Sequence, residues 1–330
     1  MNVSLAARKY RTVIFQSRVS PISGSAVLLT LGLTTVGLAT SIVTKFSLTS
    51  LPNIMPLVVV VVILDILSQF ARQTPIVQAI QTVLYGFLYL VITCVCGVIS
   101  AYSIQRLAFP LQDHFLASAD KALGLQWLDY AHWVDRHALV QTVFHAAYNT
   151  ISPQIALPLF VLAFSNRPNE VREYLLAFTI AFVFTIFISA LMPAAGPIIF
   201  VDRSTFNILQ FTGATPLDQL LRLREAGPLI MNDAPGGIAT FPSFHATVAI
   251  LTPLTLRGYP RIFAVLLILD AAMLGSTVTE GAHYFTDILA GTGMAFFAHF
   301  MAKRVLMVED RTLHPMSDRP ITREDAVQAA

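Results

Sequence analysis

Charge is scarce in this chain. Asp, Glu, Lys and Arg together make up 12% of its 330 residues against 55% hydrophobic residues, and the mean hydropathy is +0.67. That balance excludes an ordinary soluble domain and assigns the chain to a bilayer. Cysteine is nearly missing. Cys94 and Cys96 lie two apart inside an apolar run, so neither a disulfide framework nor a cysteine-based metal site can be built, and both read as small lipid-facing or core residues. A surplus of one sign of charge is missing too. The formal net charge is +2 and the pI about 8.6, with basic residues scattered in short loops instead of a stripe, which argues against a nucleic-acid partner.

What the chain does have is long apolar runs. A membrane helix needs about 20 predominantly apolar residues. That length rule predicts eight spans: Ala26–Val43, Pro52–Phe70, Ile76–Ile104, Leu139–Phe164, Tyr174–Met192, Pro242–Leu256, Ile262–Val278 and His283–Leu306. The sixth is short, and the third is long enough to tilt. Arg8, Lys9, Arg11 and Arg18 precede the first run without a small-residue cleavage site, which reads as a retained signal anchor. The segment Arg106–Arg136 mixes charges with Trp127 and Trp133 and reads as a helix at headgroup level. Ala194–Phe241, rich in Gly and Pro, reads as an irregular or partly helical outer cap, and the charged tail after Val308 as a mobile end. Lys and Arg near the span ends are more numerous on the side of the N-terminus. That asymmetry puts both termini in the cytoplasm and both long connections, with the starts of the sixth and eighth spans, on the outer face. The expected organisation is a basic N-terminus (1–25), two extra helices (26–74), a six-helix catalytic domain (75–307) and a cytoplasmic tail (308–330).

Two short motifs fall on that outer face. Phe241-Pro242-Ser243-Phe244-His245 opens the sixth span, with Pro at a tolerated position and Ser placed to cap the helix or present a hydroxyl. Gly281-Ala282-His283-Tyr284-Phe285-Thr286-Asp287 opens the eighth. His283 and Asp287, four apart, are expected to stack on one helix face. Helix N-termini offer free N–H groups and a positive dipole end, which suit an anionic phosphate. Two histidines and a carboxylate can move a phosphoryl group with no metal or other cofactor. The Asp holds one imidazole in the right tautomer, that imidazole attacks, and the second histidine handles the leaving group's proton. A lone His at a helix start is more often a capping or interfacial residue than a catalyst. The meeting of both motifs at one face is what favours catalysis.

These two stretches resemble the second and third motifs of the type 2 phosphatidic acid phosphatase superfamily. They are most similar to its inositol phosphorylceramide synthase-like branch, which has Pro-Ser-x-His where the phosphatases have Pro-Ser-Gly-His. The first-motif counterpart is Pro193-Ala194-Ala195-Gly196-Pro197. The resemblance implies an all-α polytopic bundle with a six-helix core and two spans in front. It implies His283 as the nucleophile forming a phosphohistidine, Asp287 as its orienting group and His245 as general acid and base. Ser243, Gly196, Pro197, Arg203 and Tyr284 are the expected substrate-binding residues. Expected partners are membrane lipids, namely a phospholipid donor and a lipid or alcohol acceptor, in a bacterial inner membrane with the site on the periplasmic face.

The departures from the pattern bear on the substrate. The phosphatases carry a Lys and an Arg in the first motif and an Arg six before the third-motif His, where this chain has Thr277. Arg203, Arg222 and Arg224 are candidate replacements. A phosphomonoester bears nearly two negative charges at neutral pH and a diester one, so fewer fixed cations favour a diester donor and hence a transferase. Asp65, His145, Asn149, Gln154 and Asp270 are costly inside a membrane and therefore candidates for function or helix pairing. His145 and Asn149, with Tyr148 and Gln154, are placed near an acceptor pocket, and Glu280 at the mouth of the site. A transporter would require matched broken helices in internal repeats, which the sequence does not show. A non-catalytic scaffold is the remaining alternative.

Overall fold

The computed structural model describes residues 20–49, 54–70, 74–206, 214–232 and 235–313. Its elements in chain order are α1 (Gly24–Thr44), β1 (Phe46–Leu48), α2 (Met55–Phe70), α3 (Pro75–Gln105), α4 (Asp113–Ala122), α5 (Trp127–Asp135), α6 (Ala138–Tyr148), α7 (Ile151–Phe164) and α8 (Pro168–Leu191). Two 3-10 turns, Pro197–Phe200 and Arg203–Thr205, precede α9 (Ala214–Leu223), β2 (Leu229–Met231), α10 (Phe244–Thr255), α11 (Pro260–Thr279) and α12 (Phe285–Leu313). The protein is an all-α polytopic membrane bundle. Among the described residues, five helices (α1, α3, α8, α11, α12) are long and apolar enough to cross a bilayer, and the bent pair α6–α7 makes six. The apolar helices α2 and α10 are shorter.

Helix starts follow from local chemistry. The Ser23 hydroxyl accepts the N–H of Ala26 at the start of α1, and Thr74 does the same for Val77 ahead of Pro75 at the start of α3. The expected single span Leu139–Phe164 is instead two helices meeting at 49°. Pro153, in the first turn of α7, has no N–H to return to the carbonyl of Asn149. The Thr150 hydroxyl and the Asn149 amide meanwhile donate to the carbonyls of Ala147 and His145, ending α6.

Helix α8 is the centre of the bundle, packed by α1, α3, α7, α10 and α12. Its Leu175, Leu176, Phe178 and Ala181 are buried on several sides, as expected of a helix apolar all round and enclosed by others. The face of the bundle is strongly apolar and exposed, for example Leu28, Ile42 and Val43 of α1 and Ile268 of α11, which matches a lipid environment.

The two ends of the bundle are tied differently. At one end Arg172 pairs with Glu309 and Asp310, and Glu309 also accepts the N–H of Gly24, joining the starts of α1 and α8 to the last turns of α12. Helix α12 therefore continues in order past Val308 to Leu313, and the mobile tail expected there is outside the described residues only from 314 on. At the other end β1 pairs in parallel with β2, linking the turn after α1 to the connection before α10. Arg106 donates to the carbonyls of Leu223, Glu225 and Gly227 there. Arg172 and Arg106, assigned from sequence to opposite faces, thus sit at opposite ends of the bundle. The cap, expected to be irregular or partly helical, contains the helix α9 and also the short strand β2.

Candidate active site

The site forms where the starts of α10 and α12 meet. Ser243 is the N-cap of α10, its hydroxyl accepting the N–H of Ala246, so Pro242 lies just outside the helix and His245 in its first turn. Gly291 of α12 lies against this start. A Cβ there would come within 2.2 Å of the Ser243 carbonyl oxygen, so only glycine permits the approach. The Ser243 N–H completes the junction by donating to the Asp287 carbonyl at 3.0 Å.

His283 is not on the helix face that its spacing to Asp287 implied. α12 begins at Phe285, and His283 sits in the preceding turn, where Ala282 has a φ of 49°. The reason is the Asp287 carboxylate. From the first turn of α12 its Oδ2 accepts both the Tyr284 N–H at 2.9 Å and a bond from His283 Nδ1 at 3.1 Å, folding the turn back over the helix start. Asp287 and Ser243 are fully buried and His283 nearly so. With Nδ1–H donating to the carboxylate, His283 Nε2 carries the lone pair, and the Ser243 hydroxyl lies 3.5 Å from it.

His283 and His245 line one cavity of about 530 Å³. The His245 ring stacks on Tyr148 of α6, with centroids 4.0 Å apart and planes 10° from parallel. From the histidines the cavity runs between α3, α8 and α9 past Gly97, Ala101, Phe182, Ile186 and Leu220, and this part is apolar. Its volume is that of a site able to bury most of a drug-sized ligand. Glu280 completes the wall beside the histidines.

Two buried carboxylates of α4 hold this end together, and sequence reasoning passed over both. Asp113 accepts the N–H groups of Ala195 and Gly196 and the Tyr284 hydroxyl, the last at 3.0 Å. Asp120 accepts the N–H groups of Phe285 and Thr286, both at 2.8 Å, and so caps helix α12 from another element. Asp113, Leu116 and Asp120 share the buried face of α4. Their i, i+3, i+7 spacing was the available signal, because it sets two acids on a leucine-bearing stripe. Burial, with Asp113, Asp287 and Asp120 nearby, pushes the Tyr284 hydroxyl up from its ordinary value, so it remains a donor.

The predicted residues therefore divide. His283, Asp287, Ser243 and His245 come together at the cavity. Gly196, Pro197 and Tyr284 are packed behind its wall, Gly196 at a φ of 89° and so close to the Ala282 carbonyl that a Cβ would sit 2.3 Å from it. The Arg203 side chain is outside what the structure describes. Arg224 donates to the carbonyls of Ala108 and Phe109, and neither it nor Arg222 lines the cavity. Thr277 turns its hydroxyl back to the Met273 carbonyl of its own helix. Among the described residues no Lys or Arg lines the cavity, and no cluster of His, Cys, Asp and Glu suited to a metal ion is found. Asp65 is bonded to Tyr85 of α3, away from this end. Asp270 is buried in α11, with Gln154 close to it. Trp127 is buried and donates to the Val278 carbonyl at 2.8 Å, while Trp133 is exposed.

Compared with known proteins, residues 114–301 match the family model described as the PAP2 superfamily, which covers more than half of the chain. No curated protein and no solved structure matches.

Proposed function

The chain belongs to the PAP2 superfamily, and from that premise we propose that it is a lipid phosphotransferase working through a phosphohistidine on His283. The family itself is of the phosphatase and phosphotransferase type acting on lipid phosphates. The observation that carries the reading is the His283–Asp287 pair, whose Nε2 faces a cavity that His245 also lines.

The steps follow from the geometry. Asp287 holds Nδ1–H, so Nε2 attacks phosphorus and the developing imidazolium is stabilised by the buried carboxylate. The bond from phosphorus to the leaving oxygen breaks, and that oxygen takes a proton from His245. An acceptor hydroxyl then gives its proton to His245, bonds to phosphorus and displaces His283. The absence of Lys and Arg from the described cavity wall favours a singly charged diester over a dianionic monoester, and so transfer over simple phosphate release. Pro-Ser-Phe-His supports placing the chain beside the inositol phosphorylceramide synthase-like branch. The excess of Lys and Arg that the sequence places on the side of the N-terminus supports a site on the outer face of a bacterial inner membrane.

The test is to reconstitute the full chain in vesicles with phospholipid labelled at phosphorus and to trap acid-labile phosphoenzyme and transferred headgroup. Both are expected from wild type and neither from His283→Ala. Identical behaviour of the two proteins would overturn the phosphohistidine. Phosphate released from phosphatidic acid with no headgroup moved would overturn the transferase.

A further inference from the structure

The two histidines of the site are held in different ways. His283 is fixed by its bond to Asp287, whereas neither ring nitrogen of His245 has a hydrogen-bond partner among the described residues. The contact that holds the His245 ring is Tyr148, the last residue of α6. The two rings lie face to face, with centroids 4.0 Å apart and planes 10° from parallel, and both line the cavity. Turning the imidazole about its Cβ–Cγ bond would drive a ring edge into the Tyr148 face, so the stack fixes the plane of the ring. The nitrogens lie in that plane and are directed past the edge of Tyr148, not into it.

Both partners are placed by their own elements. Phe244, next to His245, packs on Phe178 and Phe182 of α8 at 5.8 and 5.0 Å between centroids, which keeps the first turn of α10 from rotating. Ala147 is buried with Ala249 of α10 and Met273 of α11, so the end of α6 is seated against α10. The bend of 49° that follows Tyr148 turns α7 away and leaves the Tyr148 ring over His245.

A general acid must bring its proton within about 3 Å of the leaving oxygen as the bond breaks. An imidazole with no fixed plane would seldom do so. We propose that Tyr148 is a positioning residue whose aromatic face holds His245 in the plane from which it protonates the leaving oxygen and later takes the acceptor's proton. This rests on the phosphotransferase reading above and adds to it the residue that makes His245 competent. When Nε2 of His283 bonds to phosphorus, the electron pair of the breaking bond goes to the leaving oxygen, and that oxygen takes a proton from His245. Tyr148 exchanges nothing, and its hydroxyl has no part in the step.

The experiment separates proton delivery from the rest of the chemistry by changing the leaving group. Diacylglycerol leaves as an alkoxide and needs the proton, whereas a nitrophenol is acidic enough to leave as its anion. Full-length protein is mixed rapidly with vesicles of phosphatidylglycerol, phosphatidylethanolamine or phosphatidylinositol, and with an analogue in which a nitrophenol carrying a long alkyl chain replaces the diacylglycerol. The initial burst of leaving group is read, because it precedes the acceptor step. Tyr148→Leu is expected to slow the diacylglycerol burst by about 10²-fold and the nitrophenol burst by no more than about threefold. Tyr148→Phe, which keeps the stack, is expected to recover most of the diacylglycerol burst that Tyr148→Leu loses. A Tyr148→Leu protein slowed equally on both leaving groups has lost packing or binding and overturns the proposal, as does one with the wild-type diacylglycerol burst. Tyr148→Phe as slow as Tyr148→Leu gives the role to the hydroxyl and overturns it too. If wild type releases diacylglycerol from none of these lipids, the phosphotransferase reading itself fails and takes this inference with it.

Discussion

His283 with Asp287 and His145 with Glu280 are both joined through Nδ1 at 3.1 Å, and both border the same cavity, but in opposite order. In the first pair the imidazole faces the cavity and the acid is behind it, with side-chain exposures of 6% and 0%. In the second the acid faces the cavity and the imidazole is outside, with 54% for His145 and 5% for Glu280. In the proposed mechanism the inward-facing imidazole of the first pair is the nucleophile, whereas the second pair turns a carboxylate toward the cavity. What decides is which member the backbone turns inward. The turn before α12 does this for His283, and the end of α11 does it for Glu280.

The sharpest way to break the comparison is to remove the inward-facing imidazole. His283→Ala is expected to lower turnover by about 10⁴-fold or more and to abolish phosphoenzyme in the trapping assay, as for loss of a nucleophile generally. Asp287→Asn keeps the volume but can present an amide N–H to Nδ1, favouring the wrong tautomer. A loss of roughly 10² to 10⁴ in kcat is expected, and a change confined to KM would refute the orienting role. Glu280→Gln keeps the volume and removes a charge from the cavity wall, and belongs a step lower, with a change of about tenfold in kcat/KM expected. His145→Ala leaves the carboxylate in place and loosens it, so a change of about threefold is expected, in keeping with a pair half exposed to solvent. A larger effect from His145→Ala than from Glu280→Gln would show that the imidazole matters in its own right and not through the carboxylate it bonds.

The bundle was legible because the bilayer imposes a length on each span: α1, α3 and α11 follow the expected runs closely, whereas α8 starts at Pro168 before the expected Tyr174 and α12 runs on to Leu313 past the expected Leu306. His245, His283 and Asp287 were legible because their motifs open helices at the same end. What escaped depends on tertiary contacts that no local pattern encodes. The span at Leu139–Phe164 reads as continuous by hydropathy, and only Pro153 with its side-chain caps hints at the break that delivers His145 and Tyr148. Asp113 and Asp120 look like solvent-facing charges of an amphipathic helix until their partners, the N–H groups of Ala195, Gly196, Phe285 and Thr286, are in place. The β1–β2 ladder is three residues a side, too short to leave a period in the sequence.

The wall contributed by α3 bears on where the working unit begins. The family-matched stretch starts at residue 114, yet Gly97, Val98, Ala101 and Tyr102 line the cavity, and Asp113 holds the turn at Ala195 and Gly196. Tyr102 further anchors the cap by donating to Gln219 and accepting the Gly236 N–H. A fragment trimmed to the matched stretch would keep both motifs and lose one side of the cavity. In this protein both motifs lie within the matched segment, whereas part of the cavity wall is built upstream of it, by a helix that carries none of the proposed catalytic residues.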